Sequence, residues 1–257
     1  VSKGTVRGNY VLVGNYQWRQ AGRSFAVELG REGLDATVLG DAAMVEAPGL
    51  LRYGVSLDCY GRDDAGAAEQ SLREASIVPW AIIEPSDATA LPAQGDAAVW
   101  GYATRTEFED MGEAGALRRF AVGLGGAAEP TAQPTDVLRT DRPWAGEVGQ
   151  YRTGLNGDFE LELVNTLVDS TPRWFGFCAV GAQAGSAEVT LQKSTDAPFT
   201  SPVQVGPSVL ISGRAPGLLM WGPYTDAEMA GGFGHLRFRF DQQSGAVTIT
   251  DAVSLQT

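Results

Sequence analysis

Apolar and polar residues alternate in short runs through most of this chain, the period of a strand with one buried face. In the first half the runs predict strands near residues 24–29, 35–39, 52–60, 77–83, 97–106 and 117–124. Gly30-Arg31-Glu32-Gly33 reads as a hairpin turn between the first two. Residues 41–51 read as a mixed loop, with Pro48-Gly49 as its turn signal. Ahead of these strands lies an arm, residues 3–22, in which Tyr10-Val11-Leu12-Val13 is apolar without clear alternation. A single helix is predicted over residues 65–75, capped by Asp63 or Asp64, with Ala68, Leu72 and Ala75 as its apolar stripe.

The second half repeats the pattern near residues 159–163, 174–180, 187–192, 203–205, 218–221, 236–240 and 247–250. Short strands separated by Gly, Pro, Ser and Asp fit a β-sandwich. Leu236-Arg237-Phe238-Arg239-Phe240 shows the two faces plainly, one apolar and one basic. Between the halves, Pro130, Pro134 and Pro143 mark an extended connector, since proline blocks both helix and central-strand pairing.

Charge narrows the classes of partner. The 257 residues carry 19 basic and 31 acidic side chains, a formal net charge of −12. Residues 1–140 contribute −7 (12 basic, 19 acidic) and residues 141–257 contribute −5 (7 basic, 12 acidic), so neither half is a basic tail. Binding a nucleic acid through its phosphates needs the opposite sign. No apolar run approaches the ~20 residues that span a bilayer as a helix, so no membrane partner is expected. Val1-Ser2-Lys3-Gly4 lacks the apolar core of a signal peptide, which predicts synthesis in the cytoplasm.

Catalytic vocabulary is sparse. The only histidine is His235, and the two cysteines, Cys59 and Cys178, lie far apart within strand-like segments, where buried thiols are expected. Asp58, Asp63 and Asp64 lack the spacing and terminal Glu of a calcium loop. Ser24 and Ser71 sit in no nucleophile elbow. A carboxylate hydrolase would require pairs such as Asp63/Asp64 or Glu107/Glu109 to converge across a cleft. No enzyme, cofactor or metal is expected. Trp174, Phe175, Phe177, Trp221 and Tyr224 are either core residues or the lining of a glycan-binding face.

The order of features in the first half resembles the tail tube proteins of long-tailed, siphovirus-type bacteriophages. The likeness begins at Tyr10-Val11-Leu12-Val13-Gly14, continues through Phe25-Ala26-Val27-Glu28-Leu29 and sharpens at Leu34-Asp35-Ala36-Thr37-Val38-Leu39. Asp63-Asp64-Ala65 fits the family's helix start, and Gly95-Asp96-Ala97-Ala98-Val99-Trp100-Gly101-Tyr102 its strand before the last hairpin, here residues 111–117. Glu188-Val189-Thr190-Leu191-Gln192 and Pro223-Tyr224-Thr225-Asp226 look like parts of the outer β-domain that some such proteins carry.

The resemblance implies an all-β chain: an N-terminal arm (1–23), a β-barrel or sandwich tube domain with one flanking helix (24–129), a Pro-rich linker (130–143) and a C-terminal β-sandwich (144–257). It implies hexameric rings that stack into the tail tube of a virion, assembled in the host cytoplasm with tape-measure, tail-terminator and tail-tip proteins. DNA would pass without specific binding. Tyr10, Val11, Leu12, Met44, Val45, Pro48 and Leu50 are the expected subunit contacts, and Glu107, Glu109, Asp110 and Glu113 the expected lumen or ring-contact acids. The alternative is a capsid- or tail-decorating module, or one that binds a host-surface glycan through its C-terminal sandwich.

Overall fold

The computed structural model describes residues 10–14, 16–18, 22–35, 46–60, 72, 77–86, 91–111, 119–126, 144–163, 173–183, 185–212, 217–224 and 234–257. The fold is all-β. Its strands are β1 (Tyr10–Val13), β2 (Tyr16–Gln17), β3 (Gly22–Asp35), β4 (Glu46–Tyr60), β5 (Ile77–Glu84), β6 (Ala97–Met111) and β7 (Arg119–Gly126) in the first half. The second half contributes β8 (Trp144–Asn156), β9 (Phe159–Glu162), β10 (Arg173–Gln183), β11 (Ser186–Ser194), β12 (Val203–Ser212), β13 (Gly217–Tyr224), β14 (His235–Ser244) and β15 (Val247–Gln256). The expected helix lies outside the described residues except for Leu72, which is helical and buried.

Among the described residues fifteen strands make two sheets. One, of 11 strands, runs β13-β10-β15-β8-β6-β5-β1-β2, with β7 on β6, β4 on β7 and β3 on β4; the other, of 4, runs β12-β11-β14-β9. Among the described residues the first half forms an open run, β3-β4-β7-β6-β5-β1-β2, with no β2–β3 pairing to close it as a barrel. The run curls all the same. Rings from strands far apart in its order meet, Phe25 of β3 lying 6.5 Å from Trp80 of β5.

The junction between the halves is a strand line, not a hinge. β7 and β8 lie along the same edge of β6: Gly126 pairs opposite Ala103, and Trp144 opposite Trp100. Gly126 and Trp144 therefore lie opposite β6 positions three residues apart. The two halves share one sheet across the expected domain boundary.

Burial explains the pattern strand by strand. Three cores separate four layers. The N-terminal core gathers Val11, Val13, Trp18, Val55, Leu57, Val78, Trp80, Ala103, Phe120 and Val122. The C-terminal core, between the two sheets of the sandwich, holds Phe159, Leu161, Phe175, Phe177, Val189, Leu191, Trp221, Phe238, Phe240 and Ile249. A middle core joins the halves: Tyr10, Leu12, Ala81, Ile83, Ala98 and Trp100 pack on Val148, Cys178, Val180, Leu218, Met220, Val253 and Leu255. Strands β1, β5, β10, β13 and β15 thus pack a core against each face over most of their length, with Glu84, Thr248 and Thr250 exposed. That is why Tyr10-Val11-Leu12-Val13 shows no alternation: Val11 and Val13 face one core, Tyr10 and Leu12 another.

Two expectations are corrected by pairing. Gly30-Arg31-Glu32-Gly33 is not a turn, because β3 runs unbroken to Asp35 and pairs β4 from Gly22↔Cys59 to Asp35↔Glu46. The segment carrying Pro48-Gly49 is not a loop but the start of β4, with Pro48 opposite Gly33. The glycines supply slack at an irregularity between Arg31 and Gly33 instead of a reversal. β8 left no strand signal in the pattern, being broken by Gly146, Gly149 and Gly154. Two of these are steric necessities. A Cβ at Gly146 would lie 1.9 Å from the Gln256 carbonyl oxygen and 2.8 Å from the Trp100 ring, and one at Gly149 2.8 Å from the Glu162 carbonyl oxygen.

Trp100, fully buried, fills the space above Gly146. Trp100→Ala is expected to cost about 3–5 kcal/mol, read as a fall in the denaturant midpoint. Because the middle core belongs to both halves, the loss should appear in one cooperative transition. Two separated transitions in the wild-type chain would contradict a shared core.

Candidate assembly surfaces

The first surface is the β3–β4 ribbon. β4 pairs with β7 only from Gly54 to Tyr60, while its pairing with β3 continues to Glu46↔Asp35. Beyond Gly54 the two strands continue as a two-stranded ribbon for about 25 Å at the usual rise per residue. Among the described residues the outer edge of β3 and the far part of β4 have no further strand partner. Backbone N–H and C=O groups on such edges are a ready template for another strand. An isolated two-stranded hairpin is at best marginally stable in water.

Pro48 and Leu50 are placed on this ribbon by their backbone. Met44 and Val45 lie outside the described residues, as does Glu113. Tyr10, Val11 and Leu12 are buried inside the chain, each at 2–3% exposure, in strand β1 between β2 and β5. Apolar sequence at an expected arm marked them as contacts; the packing of this chain already occupies both of their faces.

The second surface is the outer half of β6. A register shift between Arg105 and Glu107 resets the side-chain alternation. Without it, Glu107 would share the inward face of Ala103. With it, Phe108 turns inward and stacks on Phe120 at 5.7 Å, and Glu107 and Glu109 turn outward. The extra residue, Thr106, lies over Gly123 and Gly125, where a Cβ would come within 3.1 and 2.9 Å of it. Glu107, Glu109 and Asp110 are all exposed. On the neighbouring strands Asp58 is held by Arg119 at 2.8 Å, a structural ion pair. Glu107 and Asp110 line an open depression with Arg105, Thr106 and Phe108. Among the described residues no three His, Cys, Asp or Glu converge as metal ligands, and no helix is long and apolar enough to cross a membrane.

The third surface is the outward face of the four-stranded sheet. Its basic row is neutralised in place. Arg237 meets Glu160 at 2.6 Å and donates from Nε to Gln192 Oε1 at 2.9 Å. Its guanidinium lies 4.1 Å above the Phe199 ring. Burial pulls the Arg237 guanidinium below its ordinary range, opposed by Glu160. Arg239 is paired with Asp241 at 2.7 Å, which holds it above its usual range. Phe199 adopts a φ of 50°, at the turn where Asp196 accepts from Ser194 and Thr200. His235 contacts Phe199 edge-on at 6.3 Å.

The aromatic residues weighed as a glycan face are interior. Phe175, Phe177 and Trp221 belong to the C-terminal core, with Tyr224 packed against it, and Trp174 packs against the middle core. Both thiols are buried and free. Burial, with Asp58 nearby, pushes the Cys59 thiol up to about 12, and burial likewise raises Cys178.

No family model matches this chain, and no curated protein matches it. Similar solved structures come from phage-like tails. A chain from the tail of an empty gene transfer agent particle, refined with C6 symmetry, is 15% identical; the match covers 42% of this chain and 79% of that one, with a TM-score of 0.33. A chain from the virion of a native gene transfer agent particle is also 15% identical, covering 50% and 96%, with a TM-score of 0.37. The SPP1 Dit protein, described as a paradigm of the hub adsorption apparatus in phages that infect Gram-positive bacteria, is 11% identical, covering 97% and 99%, with a TM-score of 0.28.

The bulge on β6 separates charge from fold. Replacing Glu107 and Glu109 together by Lys is expected to change stability by no more than about 0.5 kcal/mol per site, as at other exposed positions. Phe108→Ala should cost about 3 kcal/mol. Equilibrium urea unfolding of both variants checks the contrast, and a large loss from the Lys pair would place those acids in a structural network.

Proposed function

We propose that this chain is a structural virion protein of a phage-type tail, without enzymatic turnover, that self-assembles into stacked hexameric rings enclosing a channel for DNA. The observation that carries this reading is the β3–β4 ribbon, a projecting pair of strands whose free edges fit strand addition by a neighbouring copy. Ring closure pairs every such edge and removes the aggregation hazard that an open one presents. Pro48 and Leu50, with Met44 and Val45 at the connection they flank, are proposed subunit contacts. Tape-measure, terminator and tip proteins are the proposed partners in the virion, after assembly in the host cytoplasm.

Glu107, Glu109 and Asp110, with Glu113 in the adjoining connection, are the proposed lumen or ring-contact acids. A negative channel wall lets a polyanion pass without attractive contacts that would act as friction. The same charge opposes assembly, since each copy brings a net −12. A second reading, a part that closes one ring at the end of a tail, is favoured by the middle core. A C-terminal half that shares that core cannot swing aside when rings stack. Removing residues 141–257 is accordingly no test of either reading, because it would bare Leu12, Ile83, Ala98 and Trp100.

Negative-stain microscopy of the full chain over a concentration and salt series tests the proposal. Six-fold rings and hollow tubes are expected, becoming more abundant between low salt and ~0.15 M as the Debye length falls to about 8 Å. Six-fold rings that never stack would select the end-of-tail reading. Particles that stay monomeric at high concentration and salt would count against both, and would favour a decorating or glycan-binding module.

A further inference from the structure

The middle core holds the halves together with apolar contact, which is not directional. Between the halves the backbone ladder is short. Only Ala97 to Trp100 of β6 pair with β8, extended by Val148 donating to the Asp96 carbonyl and accepting from Gly95. So short a ladder fixes register along one line and leaves the two layers of the sheet free to twist about it unless something else holds them. Two ties made by tyrosine hydroxyls cross the interface. Tyr10 of β1 shares a hydrogen bond with Tyr151 of β8 at 2.6 Å, and Tyr151 in turn donates to the buried Asp251 of β15. The Tyr10 and Tyr151 rings meet edge-on at 5.2 Å. At a separate point Tyr102 of β6 donates to the Leu218 carbonyl of β13 at 2.8 Å.

We propose that these two hydroxyl ties are a latch: they fix the orientation of the C-terminal sandwich on the N-terminal layers, and the interface between the halves opens as a unit when they are removed. Two separated directional contacts restrain rotation as well as sliding, which neither could do alone. The latch is independent of the tail reading. Within that reading, it makes the outer half a rigid lever on the ring, so that force on one is carried to the other.

The two cysteines report on the latch without any label being engineered. Cys178 lies in the middle core, while Cys59 lies in the N-terminal core, away from the interface. The experiment is maleimide labelling of the native full-length chain under non-denaturing conditions, followed by peptide mapping of each thiol. The variants are Tyr10→Phe, Tyr102→Phe and the double substitution, all of which keep the rings. In the wild-type chain both thiols should label slowly. The double variant should label at Cys178 roughly 10- to 30-fold faster, two hydrogen bonds' worth of opening, with Cys59 unchanged. Each single variant should give a smaller rise at Cys178 alone.

Equal acceleration at both thiols would mean general destabilisation and would overturn the proposal. So would an unchanged Cys178 rate in the double variant. If the double variant does not fold, the two single variants decide by the same Cys178-to-Cys59 ratio. Failure of the microscopy test would leave this result untouched, and the reverse also holds.

Discussion

Burial of both faces of the middle layers is the constraint on which the rest of this structure depends. β1 and β5 on one side, and β10, β13 and β15 on the other, each sit between two cores. Where such a strand is covered on both sides, its side chains are apolar or, like Asp251 and Ser254, hydrogen-bonded, and its neighbours must come close. Trp100 shows the consequence at one point. Its ring fills the space above Gly146, whose missing side chain lets the Gln256 backbone lie alongside. Tight packing of this kind tolerates little change in volume, since the surroundings relax only in part.

This constraint also settles what was legible in the sequence. One-face strands were readable from their period, as in Leu236-Arg237-Phe238-Arg239-Phe240, whose apolar members enter the C-terminal core while its arginines pair on the outer face. Among two-face strands, β5, β10, β13 and β15 were legible as short strand-like runs, and β1 was not. Tyr10-Val11-Leu12-Val13 carries no polar residue to set a phase, so it passed as an arm with contacts to make elsewhere. The glycines misled in two directions. At residues 30 and 33 they suggested a turn within a continuous strand, and at 146 and 149 they hid a strand whose neighbours needed the space. Glycine marks either chain reversal or close approach, and only the three-dimensional neighbours distinguish the two.

Of the surfaces, the β6 acids were legible as residues but not as a face. Alternation from Ala103 alone would turn Glu107 inward, and the bulge at Arg105 reverses that assignment. A bulge is a property of two strands together, set here by glycines at 123 and 125 on the partner β7. Nothing within β6 itself marks the shift except Phe108, an aromatic residue out of phase with Ala103. The ribbon was hidden for a related reason: its length follows from where β7 stops pairing with β4, a fact of tertiary pairing and not of local composition.

The linker illustrates how topology can overrule composition. Three prolines and a loss of pattern argue for a tether between independent domains, and a tether would leave the second half free to move. Yet its ends rejoin one edge of β6 three residues apart, and the flanking strands run in the same direction. What keeps the halves from separating is the middle core, and its registration falls to the few polar groups that cross it. An apolar interface sets the strength of attachment through its area; hydrogen bonds, being directional, set its geometry. In this chain the two tasks are divided between Trp100 and its neighbours on one side and, on the other, the short β6–β8 ladder with the hydroxyls of Tyr10, Tyr151 and Tyr102.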